Sequence, residues 1–221
     1  MLNIDDINGA KHIVITLPSD ATDSQVASAN ALYSFILTLH KKVSLYSTHV
    51  DFGKNLYFLP WMDKLKNSYP SSADLEIKVK KCEDIFVFFN KNNIKLNSKT
   101  ATSLYAALIS KTQGFLKDVD AGVFENAKKF LEAGAEVDSC NENILNHISL
   151  AALRLKATLF SKMLLIDEAK TALFNLDDED LKSSGASIKD AKFILKDALS
   201  LPSVKTVIVK YENKEIIREG E

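Results

Sequence analysis

Asp20 and Asp23 lie in a short polar segment that follows an apolar run at residues 12–15 and precedes an amphipathic stretch. Carboxylates between the end of a strand and the start of a helix often hold a divalent cation or orient a phosphate. Aspartate also favours turns and caps helices. The second interpretation is favoured here, because a two-metal site needs several more oxygen and nitrogen donors than these two residues supply.

Length and charge narrow the class of protein. The chain has 221 residues, a net charge of -1 and 46% apolar residues, which suits one large or two small domains with a hydrophobic core. The near-neutral charge argues against an extensive nucleic-acid surface, although a small nucleotide or anion stays a ligand candidate.

Cysteine content and apolar run length bear on the compartment. Cys82 and Cys140 are far apart and form no paired motif, which favours free thiols in a reducing compartment. The N-terminal segment has no signal-peptide pattern, and no apolar run reaches the roughly 20 residues that span a bilayer. We therefore expect a soluble, cytoplasmic protein.

The first part of the chain has the pattern of a strand-helix-strand unit. Residues 13–17 are short, apolar and β-branched, and residues 24–40 place apolar side chains at helical spacing. Residues 42–46 alternate as a second strand. Asp23 or Ser24 is predicted to cap the helix between them.

Further elements follow along the first part of the chain. Residues 73–79 predict a strand at a sheet edge, because alternate positions are polar. A helix is predicted at 98–110 with Ser98 as its cap, and others around 85–89 and at 120–133, the last ending at Gly134.

A long helical pattern at 141–163 predicts a connector helix, with His147 as a buried side chain on it. After it we expect a strand at 169–176, mainly helix at 178–199, a strand at 204–211 and a frayed charged tail. The predicted organisation is an α/β lobe at 1–140, the connector at 141–163 and a smaller, partial α/β lobe at 164–221.

Three segments in this order resemble a known family: residues 13–33 with Ser28-Ala29, residues 104–115 (LYAALISKTQGF) and residues 149–157 (SLAALRLKA). The chain resembles a shortened member of the DHH phosphoesterases, of the oligoribonuclease and cyclic-dinucleotide phosphodiesterase type. No single motif is intact, so the resemblance depends on order and local similarity. It implies a mostly parallel sheet flanked by helices, truncated, with a smaller C-terminal α/β lobe.

The departures from the family lie in its chemistry. The family builds a two-metal centre from His and Asp side chains, and the resemblance puts Thr22 and Ser24 where two Asp residues belong. Lys111, before Thr112, replaces a further Asp. The Asp-His-His signature and the Gly-Gly-Gly-His loop are absent. The candidate vestigial site is therefore Asp20, Thr22, Asp23, Ser24, Lys111 and Thr112, with no catalytic residue and no metal ligand assigned.

These departures predict a catalytically inactive relative that acts as a protein-binding structural or regulatory subunit, without cofactor, in a homo-oligomer or a protein complex. The alternative is a divergent phosphoesterase on nucleotides or short oligonucleotides, with Asp20, Asp23 and either Asp74 or Asp118 converging on Mn or Mg. A third hypothesis is a nucleotide or anion sensor in which Lys111, or the backbone amides of residues 111–114, meets the ligand.

Overall fold

The structure, a computed structural model, describes residues 2–146, 148–188, 190–191, 195–212 and 214–219. The chain divides into two compact units, Met1–His147 and Ile148–Glu221, and each has its own hydrophobic core. Among the described residues, no helix combines the length and the apolar character needed to cross a membrane.

The first unit is built on a four-stranded parallel sheet with the order β3-β2-β1-β4. Its strands are β1 (His12–Thr16), β2 (Lys42–Tyr46), β3 (Leu65–Lys66) and β4 (Leu75–Lys78). β1 pairs on both sides and is buried along residues 12–15, as its continuous apolar sequence predicts. The strand predicted at residues 73–79 is β4, and its predicted position at the edge of the sheet is confirmed. The sequence did not predict β3, because two residues are too few to show a periodic pattern.

Helices pack on this sheet and supply most of the core. They are α1 (Ile4–Gly9), α2 (Asp23–Thr38), α3 (Cys82–Lys91), α4 (Ser98–Thr112), α5 (Ala121–Glu132) and α6 (Val137–Cys140). A π-helical segment, Asn141–Leu145, follows α6, and two short 3-10 turns occupy Lys54–Leu56 and Met62–Lys64. α2 and α4 are buried over most of their circumference, which small side chains such as Ala27 and Ala106 permit.

Two predicted caps are wrong by one or two residues. Thr22 caps α2, since its hydroxyl accepts from the backbone N–H of Gln25 while the Gln25 side chain accepts from the Thr22 N–H. The prediction of Asp23 or Ser24 is therefore wrong. Asn97, rather than Ser98, caps α4 by accepting from the N–H of Thr100. Several adjacent residues had cap chemistry, and only the backbone geometry selects one of them.

The second unit has a smaller mixed sheet in the order β5-β6-β7-β8. Its strands are β5 (Leu164–Ile166), β6 (Thr171–Leu176), β7 (Thr206–Tyr211) and β8 (Lys214–Glu219). β6 and β7 are parallel, and the two outer pairs are antiparallel. Helices α7 (Leu150–Ser161) and α8 (Asp178–Ser184) and a 3-10 segment, Leu195–Ser200, accompany the sheet. The expected smaller α/β lobe is confirmed.

The predicted connector helix is not one helix. Its first part is the π-helical segment ending at Leu145, and a new helix, α7, begins after Ser149, whose hydroxyl accepts from the N–H of Ala152. Leu155 and Leu159 of α7 are fully buried in the core of the second unit. The predicted buried residue of the connector, His147, lies outside the described residues.

Part of the tail that was expected to fray is a strand, and residues 213, 220 and 221 of this tail lie outside the described residues. Residues 214–219 form β8, which pairs antiparallel with β7 from Thr206 to Tyr211. The charged sequence of β8 does not predict this pairing, because an edge strand is stabilised by its partner strand rather than by its own composition. In the region where a helix was predicted at 178–199, α8 ends at Ser184 and is followed by Gly185 with a φ of +73°. Residues 189 and 192–194 of this region lie outside the described residues.

The capping box makes a prediction about stability. Replacing Thr22 by Ala removes the hydroxyl acceptor of the Gln25 amide and should lower the free energy of unfolding of the first unit by about 1 kcal/mol. Thr22→Ser keeps the acceptor and should remain close to the wild type. Urea titration followed by circular dichroism measures both. A larger loss for Asp23→Ala than for Thr22→Ala would contradict this assignment of the cap.

Candidate functional site

The carboxyl ends of β1 and β4 define the place where a site is expected. From β1 the chain runs through α2 to β2 on one side of the sheet, whereas β4 pairs with β1 on the other side. In open parallel sheets this reversal of direction leaves a crevice outside the strand ends. α2 begins seven residues after β1 and α3 begins four residues after β4, so both helices start at the carboxyl ends of these strands.

An ion pair joins two helix ends at this edge. Lys111 in the last turn of α4 places its Nζ 2.7 Å from Oε1 of Glu83 in the first turn of α3. A carboxylate is favoured at a helix N-terminus and an ammonium at a C-terminus, because each offsets the partial charge of the unpaired backbone groups there. The pair therefore satisfies both helix ends with one contact.

Cys82 and Ser24 extend this contact into a group that we call the Lys111 cluster: Ser24, Cys82, Glu83 and Lys111. The Cys82 thiol donates to Oε2 of Glu83 at 3.2 Å, and the Ser24 side chain lies close enough to lower the pKa of this thiol. Burial, followed by the neighbouring Glu83 carboxylate, raises the pKa of Cys82 to about 12. Cys82 is thus a protonated thiol at neutral pH, and neither a nucleophile nor a thiolate ligand.

The charges of the ion pair are stabilised by each other. Partial burial of the Glu83 carboxyl raises its pKa, but hydrogen bonds from Lys111, the Glu83 backbone and Cys82 outweigh this effect and lower the pKa to about 2. The hydrogen bond to Glu83 raises the pKa of Lys111, and the charge of Asp118 acts in the same direction. Both groups are fully ionised over the physiological pH range.

The other residues of the candidate vestigial site have structural contacts. Asp23 accepts a hydrogen bond from Nδ2 of Asn55 at 2.7 Å, and Thr22 forms the cap of α2. Thr112 is fully buried, and its hydroxyl donates to the carbonyl of Leu108. Asp20 lies exposed in the loop before α2. Of the six predicted positions, only Ser24 and Lys111 belong to the Lys111 cluster.

The backbone amides after Lys111 are occupied by the end of α4. The N–H groups of Gln113 and Gly114 donate to Ser110 and Ile109, and that of Phe115 donates to the Thr112 hydroxyl. These are helix C-terminal bonds in a left-handed turn. The amides proposed for anion binding are therefore already paired, and the Lys111 ammonium is held by Glu83.

Asp74 lies at the opposite end of β1 from Asp20 and Asp23. Its carboxylate accepts from the backbone N–H groups of Lys11 and His12, at 2.9 and 2.8 Å. A five-residue strand rises about 13 Å between its first and last residues, too far for shared ligation of one ion. His12 is also at this end, where its ring nitrogens contact Ser72 and Ser44. The predicted convergence of Asp20, Asp23 and Asp74 is therefore wrong.

The donor set does not fit the two-metal centre that the family resemblance implies. Within the described part of the chain, no three His, Cys, Asp or Glu side chains come close enough together to hold a metal ion. At the carboxyl ends of β1 and β4, where such a centre would lie, the structure has two hydroxyls, a protonated thiol, and an ammonium that is ion-paired with the Glu83 carboxylate. An ammonium repels a divalent cation, so these residues do not fit a metal centre.

Sequence reasoning found Ser24 and Lys111 but missed Glu83 and Cys82. A usable signal was present, because both residues directly follow a predicted strand and open a predicted helix. In a parallel sheet such positions come together with the loop after the neighbouring strand. Which of the acidic residues pairs with Lys111 required the packing of α3 against α4.

Comparisons with known proteins support the fold. No protein-family model and no curated protein matches this sequence. Among solved structures, an exopolyphosphatase-related protein from Bacteroides fragilis is similar, with a TM-score of 0.78 and 17% identity, over 97% of this chain and 81% of that chain.

Two further structures align with lower scores. They are a putative family II inorganic pyrophosphatase from Methanococcus jannaschii (TM-score 0.45, 13% identity, 95% of this chain and 87% of that one) and RecJ with Mn²⁺ from Thermus thermophilus (0.40, 11%, 98% and 46%). The chain therefore shares the fold of the exopolyphosphatase-related protein, in agreement with the DHH-like fold that the resemblance implied, and at 17% identity the similarity shows the fold alone.

The Lys111–Glu83 pair predicts a pH dependence of stability. A folded-state pKa near 2 lies below the ordinary value of 4.5, so the contribution of Glu83 is complete above pH 4.5 and is lost as the pH falls towards 2. Glu83 is 47% exposed, so screening limits the contribution to about 1 kcal/mol or less. Glu83→Gln should therefore be less stable than the wild type at pH 7, and the difference should shrink below pH 4.5.

Denaturant unfolding at a series of pH values measures this difference. Glu132→Gln is the matched control, because Glu132 contacts Lys128 at 3.7 Å and both side chains are well exposed. A difference between Glu83→Gln and the wild type that stays constant from pH 7 to pH 2 would contradict the ion pair.

Proposed function

We propose that this chain is a catalytically inactive DHH phosphoesterase-like protein that acts by binding other proteins, as a structural or regulatory subunit. One observation supports it above all. At the crevice of the sheet, where the fold's chemistry would be expected, the Lys111 ammonium is ion-paired with Glu83 at 2.7 Å. A positive side chain there supplies the charge that a metal ion would bring, without a Lewis acid or an activated water.

The remainder of the crevice supports the same proposal. Ser24 and the Cys82 thiol are neutral hydrogen-bonding groups, and Thr22 and Asp23 already have partners in α2 capping and in Asn55. Hydroxyl and thiol groups without a positioned base or metal are poor activators of water. The helices and strands around them are well packed, so the scaffold persists without the reaction. A scaffold of this kind can bind other proteins through its surface.

The phosphoesterase alternative has no comparable support. It needs carboxylates that converge, whereas Asp74 caps the far end of β1 and Asp23 contacts Asn55. Asp20 and Asp118 are both exposed. No described contact joins these four side chains.

Hydrolysis of bis-p-nitrophenyl phosphate and of a short oligonucleotide, with Mn²⁺ or Mg²⁺, tests the proposal. The wild type should show no metal-dependent turnover above the background of a Lys111→Ala/Glu83→Ala variant purified in the same way. Millimolar Mn²⁺ should also leave the melting temperature of the wild type unchanged, because an ion that binds only the folded state would raise it. Mn²⁺-dependent hydrolysis that Asp20→Ala abolishes would overturn the proposal.

A further inference from the structure

Strand β4 is an edge of the first sheet, and β1 is its one paired neighbour among the described residues. It pairs with β1 on one side only, and its other side lies in an open groove of about 390 Å³. The groove is lined by β4 itself, by Leu2 and Asp6 at the amino end of the chain, and by Asp84 and Ile85 of α3. An exposed strand edge in a groove can accept one further strand.

The hydrogen bonds of β4 show which residues face this edge. The Val79 N–H donates to the carbonyl of Thr16 in β1 at 3.0 Å. Because backbone groups alternate in direction along a strand, Ile77 also points its N–H and C=O towards β1, and Glu76 and Lys78 point theirs outward. The free edge therefore offers two donors and two acceptors, on Glu76 and Lys78.

The sequence around β4 is self-complementary. It reads Leu75-Glu76-Ile77-Lys78-Val79, with an acid before the central Ile77, a base after it, and an apolar residue beyond each. When this segment is paired antiparallel with itself about Ile77, Glu76 lies opposite Lys78 of the second copy, and Leu75 lies opposite Val79. Both outward residues then occupy hydrogen-bonded positions, which is the condition for a ladder.

Each neighbouring register contains a like-charge pair. A shift by two residues in one direction places Glu76 opposite Glu76 and Asp74 opposite Lys78, and the same shift in the other direction places Lys78 opposite Lys78 and Glu76 opposite Lys80. A shift by one residue brings an outward residue against an inward one and breaks the ladder. Opposite charges across an antiparallel pair are stabilising and like charges are destabilising, and the register centred on Ile77 is the one of these three that has no like-charge pair.

The charged side chains are accessible for this pairing. Glu76 is 31% exposed and Lys78 is 63% exposed, and they contact each other within one strand at 3.4 Å, while the other oxygen of Glu76 accepts a hydrogen bond from the Thr16 hydroxyl at 2.8 Å. Ile77 and Val79 point to the core face, where they are buried. A second β4 would continue the apolar face with apolar residues and the polar face with Glu-Lys pairs, because a two-fold axis perpendicular to the sheet keeps the faces in common.

We propose that β4 pairs antiparallel with β4 of a second copy of this chain, with Ile77 opposite Ile77, so that two four-stranded sheets join into one of eight strands. This inference deepens the proposed function, since it names a second copy as the partner and this edge as the surface. Four backbone hydrogen bonds and two Glu76–Lys78 contacts hold the two strands together.

A charge-reversal cycle tests the register. Analytical ultracentrifugation of the wild type over a range of concentrations should show a reversible increase from the 24.5 kDa monomer to twice that mass. Glu76→Lys and Lys78→Glu each convert two attractive pairs into two repulsive ones, and each should weaken the dimer on the order of tenfold or more. The double variant Glu76→Lys/Lys78→Glu restores both pairs and should dimerise like the wild type.

A mixture of the two single variants is the decisive sample. Each is expected to be monomeric alone, whereas together every Glu faces a Lys, so a heterodimer should form with an affinity near that of the wild type. Recovery in the mixture also shows that both single variants are folded. Lys128→Glu and Glu132→Lys on α5 make the same charge changes away from β4 and should leave the wild-type dimer intact.

The outcomes separate this inference from the proposed function. A wild type that remains monomeric, a dimer that both single reversals leave unchanged, or a mixture that stays monomeric would overturn the β4 pairing. None of these results bears on catalytic inactivity. Mn²⁺-dependent hydrolysis by a dimeric wild type would overturn the proposed function and leave the β4 pairing in place.

Discussion

Parallel pairing of β1 on both of its sides is the constraint on which the first unit depends. It buries residues 12–15 and brings the loops after β1 and β4 to one edge of the sheet. α2 and α3 begin at that edge, and α4 packs closely against α2. Three helix ends are therefore held near one another before any specific side chain is considered.

Helix ends that meet in this way carry a charge requirement. The N-termini of α2 and α3 present unpaired N–H groups, and the C-terminus of α4 presents unpaired carbonyls. Thr22 and Gln25 satisfy the N-terminus of α2, Glu83 that of α3, and Lys111 the C-terminus of α4. The Gln25 side chain also donates to the Lys80 carbonyl beside α3. The crevice is stabilised by cross-links between its own walls, which is a reason for it to persist without a bound ion.

The same sheet has a second property that the site does not explain. With β4 at its edge, the sheet exposes a row of backbone groups next to charged side chains. Charges on an edge strand normally discourage pairing with unrelated strands. When acid and base are arranged symmetrically about one residue, the antiparallel register centred on that residue places each acid opposite a base and contains no like-charge pair. Specificity and protection then come from the same residues.

Much of the fold could be predicted from local patterns. The β-branched run at residues 13–17, the helical spacing of α2, α4 and α5, and the polar alternation of β4 each predicted an element that the structure contains. The tail strand β8, the two-residue β3 and the break before Ser149 could not be predicted in this way. Each depends on a partner strand or a cap that periodicity does not register.

For the site, the family resemblance implied that Lys111, Thr22 and Ser24 stand where the family has carboxylates, and an ammonium or a hydroxyl cannot replace an anionic oxygen donor. That conclusion needed no coordinates. The partner of Lys111 did need them, because the chain has 29 acidic residues and their chemistry is the same. Glu83 is selected only by the meeting of the first turn of α3 with the last turn of α4, and packing of the apolar faces of these helices decides where those turns lie.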